Sequence, residues 1–184
     1  MAVYIISDTH FGHNNIIKYT NRPFKDTDEM DEYIAEQWLE TVGEDDIVIH
    51  LGDVALKCAH LDEVLENLPG KKYLVMGNHD WCRTKTYYRK RGFIEVYDSL
   101  EVEVDGVKVL LTHMPDLEAK VPNIHGHLHN ATNFAGTLSK YNILYAPELE
   151  NYAPVKIQEL LKRGGFPVVS DEPVVEIKGE VQKV

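Results

Sequence analysis

Tyr73-Leu74-Val75-Met76-Gly77-Asn78-His79-Asp80 sets an apolar run directly against an amide, an imidazole and a carboxylate. Four consecutive apolar residues suit a strand covered on both faces. Asn, His and Asp after a glycine also make an ordinary turn, so this stretch decides nothing alone. Its weight comes from four other strand-like runs that end the same way. Val3-Tyr4-Ile5-Ile6 leads to Asp8 and His10, and Asp46-Ile47-Val48-Ile49-His50-Leu51 leads to Asp53. Val107, Val109 and Leu111 lead to His113, and Asn123-Ile124 leads to His125, His127 and His129.

Between these runs the first half alternates strand and helix, the pattern of a mostly parallel sheet. Asn14–Tyr19 reads as a helical turn or two, broken at Asn21-Arg22-Pro23-Phe24. A longer helix starts at Asp26 or Thr27, either of which can cap it. Met30, Ile34, Trp38 and Val42 give it an apolar stripe, and Gly43 is placed to end it. Another helix is expected around Leu61–Leu68, before the Pro69-Gly70 turn. In the second half, Leu100–Val104 and Val107–Leu111 alternate about Asp105-Gly106, a tight type I′-like hairpin. Tyr141–Tyr145 is a further strand. Pro154 is expected to open a helix over Val155–Leu161, stopped by Gly164-Gly165. The tail, Pro167–Val184, reads as an edge strand or a mobile end. The expectation is one domain spanning residues 1–184, of class α/β (α+β).

Composition narrows the function classes. Of 184 residues, 43% are apolar and 27% charged, a globular balance. The net charge of -11 argues against a broad surface for nucleic-acid backbones. Cys58 and Cys82 are too few for a disulfide framework or a thiolate zinc site. No apolar run approaches ~18 residues and no leader pattern precedes the first strand. These features together read as a cytoplasmic protein with no membrane contact.

Ligands of an open α/β sheet sit off the carboxyl ends of its strands, where loops converge. The donors gathered there are Asp8, His10, Asp53, Asn78, His113, His127 and His129. A carboxylate, amide and imidazole set without thiolate suits manganese, iron, zinc or nickel rather than a structural zinc centre. Seven donors exceed what one ion with open positions needs. Two ions about 3.5–4 Å apart, sharing one carboxylate, use them naturally and serve phosphoryl hydrolysis. A hydroxide bridging both would be the nucleophile.

Asp8-Thr9-His10, Gly52-Asp53, Gly77-Asn78-His79-Asp80, His113 and Gly126-His127-Leu128-His129 resemble, in order and spacing, the five motifs of the calcineurin-like metallophosphoesterases. Ser7–Asn14 is most similar to the small bacterial or phage members. The resemblance covers strand one to about Pro154. It implies a four-layer αββα sandwich of two mixed sheets flanked by helices, with a dimetal site at the strand ends. It also implies that Asp8, His10, Asp53 and His129 hold one metal. Asp53, Asn78, His113 and His127 would hold the other. Manganese is the first candidate for both ions. His79 would face the phosphate as the catalytic group, with Asp80 orienting it. The longer second motif of the protein phosphatases is absent, since Gly52-Asp53 runs on into Val54-Ala55-Leu56-Lys57. The implied function is therefore hydrolysis of a phosphodiester or phosphomonoester of a small molecule or nucleotide. The alternatives are a catalytically silent scaffold of this fold and a nuclease acting on nucleic-acid ends.

Other residues carry two readings each. His13 reaches either the substrate or its own loop. Arg22 either clamps a phosphate or fixes the Asn21–Phe24 turn. Arg83, with Lys85, Arg89, Lys90 and Arg91, either receives an anionic substrate or forms a solvated face. Trp81, Tyr87 and Tyr88 either stack a base or pack. His50 and His125 read as packed or supporting residues, and His60 as exposed.

Overall fold

The computed structural model describes residues 1–56, 65–131, 136–167 and 170–180. Cys58, His60 and most of the helix expected around Leu61–Leu68 lie outside these residues; the remaining stretch, 65–67, is helical. The apolar run Val3–Ile6 forms β1, buried at every position. After it come α1 (Asn14–Tyr19), α2 (Thr27–Thr41), β2 (Ile47–His50) and β3 (Lys71–Val75). A single 3-10 turn (Asp80–Cys82) and α3 (Lys85–Arg89) lead to β4 (Phe93–Tyr97). The hairpin is β5 (Leu100–Val104) and β6 (Val107–Thr112), followed by β7 (Asn123–His125) and β8 (Asn142–Leu144). The described chain closes with β9 (Val155–Lys156), α4 (Ile157–Arg163) and β10 (Val175–Glu180).

Two mixed five-stranded sheets result, ordered β4-β3-β2-β1-β9 and β10-β5-β6-β7-β8. In the first, β1 to β4 are parallel and β9 runs antiparallel to β1. In the second, β5–β6 and β10–β5 are antiparallel, while β6, β7 and β8 are parallel. Inward residues of both sheets, such as Ile5, Ile49 and Leu74 with Val102, Val109 and Ile124, join one apolar cluster. That arrangement satisfies the apolar faces of both sheets at once. Helix α2 adds Met30, Ile34 and Trp38 from one stripe, each burial stabilising by roughly 1.5–3 kcal/mol. Asp26 caps this helix by accepting from the Glu29 N–H at 3.0 Å. Among the described residues no helix is long and apolar enough to cross a membrane.

The hairpin turn is as expected, with Asp105 and Gly106 at φ 48° and 81°. Within the tail, Val175–Glu180 forms an edge strand, β10 beside β5. Three expectations are corrected. Val155 and Lys156 are not the start of a helix but a two-residue strand on β1, so α4 begins at Ile157. The pull of the open edge of β1 outweighs the helix-starting preference of Pro154. Helix α2 leaves through Val42 in an extended conformation, while Gly43 donates its N–H to Asp46 Oδ2. Phe93–Tyr97, in a stretch with no strand expected, is the edge strand β4 beside β3.

Candidate metal centre

The loops after β1, β2, β3, β6 and β7 meet at one end of the two sheets. The first two loops extend the β1–β2 pairing beyond the strands. Asp8 donates its N–H to Gly52 O at 2.9 Å, His10 to Asp53 O at 3.0 Å, and Phe11 to Val54 O at 2.9 Å. The β7 loop crosses from the other sheet, where the His127 N–H donates to Asp8 Oδ2 at 2.9 Å. Asp8, His10, Asp53, His127 and His129 all hold positive φ, between 50° and 66°. Left-handed backbone at non-glycine residues is costly and clusters where side chains must be aimed.

Two donor groups form. In the first, Asp8, His10 and His129 bring one ligand atom each within 4.8 Å of one another. Asp8 Oδ1 lies 3.8 Å from His10 Nε2 and 3.6 Å from His129 Nε2. In the second, Asp53, His113 and His127 do the same. His113 Nε2 lies 2.9 Å from Asn78 Oδ1, 3.1 Å from His127 Nδ1 and 3.5 Å from Asp53 Oδ2. Asp53 Oδ2 is also 3.7 Å from His10 Nε2, so this one oxygen faces both groups.

Apart from the contacts of His113 with Asn78 and His127 inside the second group, the hydrogen bonds of these residues face away from the centre. Asp8 Oδ2 accepts from the Ser7 hydroxyl at 2.6 Å as well as from His127. Asp53 Oδ1 accepts from the His79 N–H at 2.8 Å. His113 donates its Nδ1–H to Leu51 O at 2.8 Å, and His129 its Nδ1–H to Glu148 Oε1 at 3.0 Å. What remains pointing inward is a set of lone pairs: Asp8 Oδ1, Asp53 Oδ2 and the Nε2 atoms of His113 and His129. Asp8 Oδ1 and His10 Nε2 are buried with no hydrogen-bond partner. Buried orphan acceptors are rare and costly, and two that lie 3.8 Å apart fit a bound cation. Burial, assisted by the nearby Arg22 guanidinium, also holds His10 well below the usual imidazole range, which favours the neutral ring. Burial likewise lowers His127. Burial raises Asp53, with Asp8 adding to this and His113 opposing it. For His129, burial is outweighed by the hydrogen bond to Glu148 and by Asp8, and the net shift is upward.

His79 stands at the solvent mouth, 41% exposed, with Nε2 3.9 Å from Asp53 Oδ2. Its ring centroid is 5.4 Å from that of His10 and 5.8 Å from that of His13. Asp80 does something other than orient it. The Asp80 carboxylate is buried and accepts from the backbone N–H groups of Asp53 (2.7 Å), Gly77 (2.8 Å) and Val54 (3.1 Å). It therefore clamps the Asp53 loop to the Asn78 loop. Burial raises its pKa to about 6 even though these N–H groups oppose the shift.

Arg22 is buried and turned inward. Its Nη2 and Nη1 donate to Asp8 O (2.7 Å) and Thr9 O (3.0 Å), and its Nε pairs with Glu148 at 2.9 Å. It supports the first loop and cannot also clamp a phosphate. Glu148, on the turn before β9, thus joins Arg22 to His129. Sequence reading missed it, because Pro147-Glu148-Leu149-Glu150 carries only a turn signal. His13 is buried against His10, their Nδ1 atoms 3.1 Å apart. With His10 offering Nε2 inward, its Nδ1–H donates to His13, leaving the His13 Nε2 protonated.

His50 packs behind the site. It accepts the Gly52 N–H at Nδ1 (3.0 Å) and donates from Nε2 to Thr9 Oγ1 (3.0 Å), whose hydroxyl donates to Val54 O. His125 is buried and donates to Gly126 O at 3.0 Å. Four cations of the basic segment have local contacts. Lys85 pairs with Asp98 and Glu180, Arg89 with Glu95, and Arg91 stacks on Tyr87 at 3.6 Å. Arg83 bonds Cys82 O at 3.0 Å. Tyr88 is core, and Trp81 is 60% exposed.

Two mixed sheets whose strand ends present paired clusters of Asp, Asn and His define an α/β protein of the metallophosphoesterase class. The chain belongs to the calcineurin-like phosphoesterase superfamily, whose domain pattern matches residues 1–141. An uncharacterized protein of Methanocaldococcus jannaschii is 35% identical over 175 residues, 87% of this chain and 89% of that one. The Gene 66 protein of Mycobacterium phage D29 is 33% identical over 129 residues, 61% of this chain and 63% of that one. Among solved structures, a protein of unknown function from Aquifex aeolicus superposes with a TM-score of 0.69 at 29% identity, covering 88% of this chain and 98% of that one.

Proposed function

We propose that this protein is a dinuclear metal-dependent phosphoesterase acting on small phosphoesters or nucleotides. The observation that carries the reading is Asp53 Oδ2, the one carboxylate oxygen facing both donor groups. Asp8, His10, Asp53 and His129 would hold one ion, and Asp53, Asn78, His113 and His127 the other. This donor set favours manganese, with iron, zinc or nickel also accommodated. When bound, such ions supply Lewis acidity toward a phosphoryl oxygen and lower the pKa of water.

The chain's own residues do the rest. His79, half exposed at the mouth, donates to the phosphoryl group or leaving oxygen. His13 presents its Nε2–H beside it. Asp80 and Arg22 hold the loops that carry Asp53, Asn78 and Asp8, which fixes the donor geometry before substrate arrives. The net charge of -11, with Lys85 and Arg89 of the basic segment engaged in ion pairs, favours a small substrate over a nucleic-acid strand.

Asp53→Ala is the deciding variant. It should abolish hydrolysis of chromogenic phosphodiesters and monoesters and lower manganese content from two equivalents, measured by elemental analysis. Activity that survives this change would sink the assignment.

A further inference from the structure

Ten large apolar side chains are exposed among the described residues, and three of them, Trp81, Met114 and Leu117, line one groove. The groove has a volume of about 820 Å³ and opens on Asn78 and His113 of the second donor group. That volume falls within the range of small-ligand clefts. Leu110 and Pro115 add to the apolar lining. The loop Met114–Pro122 that forms this side is pinned, so the groove is preformed. Thr112 Oγ1 donates to Met114 O at 2.6 Å, and Asp116 N–H to Asn123 Oδ1 at 2.8 Å.

Besides Asn78, Ser99, Thr112 and His113, the polar lining is acidic. Asp98, Asp116 and Glu180 border the groove. Lys85 lies 2.9 Å from both Asp98 and Glu180 and is engaged by them. A second phosphate entering here meets carboxylates and no unpaired cation among the lining residues. An apolar floor, one exposed indole and an anionic rim match a flat, uncharged aromatic group.

Building on the phosphoesterase reading, we infer that this groove receives the organic group of the ester, a nucleoside or aryl group carrying a single phosphate, with Trp81 as its stacking surface. The phosphate would lie at Asn78 and His113 while the ring lies over Trp81, between Met114 and Leu117. Trp81 and Met114 are then specificity residues, and the acidic rim rejects polyphosphates and strands.

The test is competitive inhibition of turnover of a chromogenic phosphodiester by the manganese-loaded protein. Inhibition constants are measured for thymidine 5′-monophosphate, thymidine 5′-triphosphate and methyl phosphate. Wild-type protein should bind the nucleoside monophosphate more tightly than either of the others. Trp81→Ala should raise the thymidine monophosphate constant, relative to that of methyl phosphate, by about tenfold. Trp81→Phe should restore most of it. A second variant, Met114→Ser, should move the same ratio in the same direction. Equal effects on both inhibitors, or none, would overturn the groove assignment while leaving the phosphoesterase reading intact. A metal-loaded protein that hydrolyses no ester would remove both.

Discussion

Neighbouring residues in the chain do unlike work here. Asn78 faces the second donor group, His79 stands at the solvent mouth beside Asp53, and Asp80 is buried against three backbone N–H groups. His79→Ala should therefore lower kcat by roughly 10²–10⁴-fold, the usual contribution of a general acid, with metal content unchanged by elemental analysis. His50 yields a pH prediction. Burial lowers its pKa from the ordinary 6.5 to about 3. Between those values the unfolded chain binds a proton that the folded chain does not, so stability falls as pH drops from about 6.5 to about 3. Thermal melts across that window should show the decline, and His50→Gln should make it shallower. The three-way division at Asn78, His79 and Asp80 was only partly legible in sequence. The metal role proposed for Asn78 and the substrate role proposed for His79 rest on residue type and motif. The Asp80 clamp depends on where the Asp53 loop lies, which is 27 residues away.

At the scale of elements, the site exists because loops of two sheets approach to van der Waals limits. A Cβ on Gly126 would sit 2.1 Å from Ser7 Oγ and 2.3 Å from Asp8 Oδ2. One on Gly77 would sit 2.3 Å from Asp53 Oδ1. These glycines serve spacing rather than backbone conformation. Gly126→Ala should push the β7 loop off Asp8 and cost about 1–3 kcal/mol, as overpacking does. A lowered urea midpoint together with weakened manganese binding is the expected result. Wild-type metal affinity in that variant would mean the loops can separate without disturbing the donors. Strands β1 and β2 are buried at every position and were legible as continuous apolar runs, while β5 and β6 bury alternate residues and were legible from alternation. Strands β4 and β9 were not. Each lies at an edge of the first sheet, where neighbouring chain rather than local pattern decides the pairing.

For the molecule as a whole, acidity and metal use are linked. Two buried carboxylates and four imidazoles converge without a counter-charge of their own, so the folded state gains from cations that the unfolded chain binds poorly. At a manganese concentration about 100-fold above Kd the gain is about 2.7 kcal/mol. For a chain of this size that corresponds to roughly 5–10 °C in Tm. Chelation should remove that increment in a thermal melt, and Asp53→Ala should have little left to lose. A Tm indifferent to chelator in the wild-type protein would speak against cation binding at this centre.

By itself the sequence determined the class of fold, the ends of the strands at which chemistry sits, and the residue types able to hold cations. Periodicity and residue chemistry are local properties, and they are written along the chain. Tertiary structure alone decided that Arg22 supports the Asp8 loop and that Glu148 holds His129. It likewise decided that Asp80 clamps two loops and that Trp81 and Met114 share a groove. Each of these depends on contacts between residues that are not neighbours in the chain, which only the folded arrangement of strands and loops brings together.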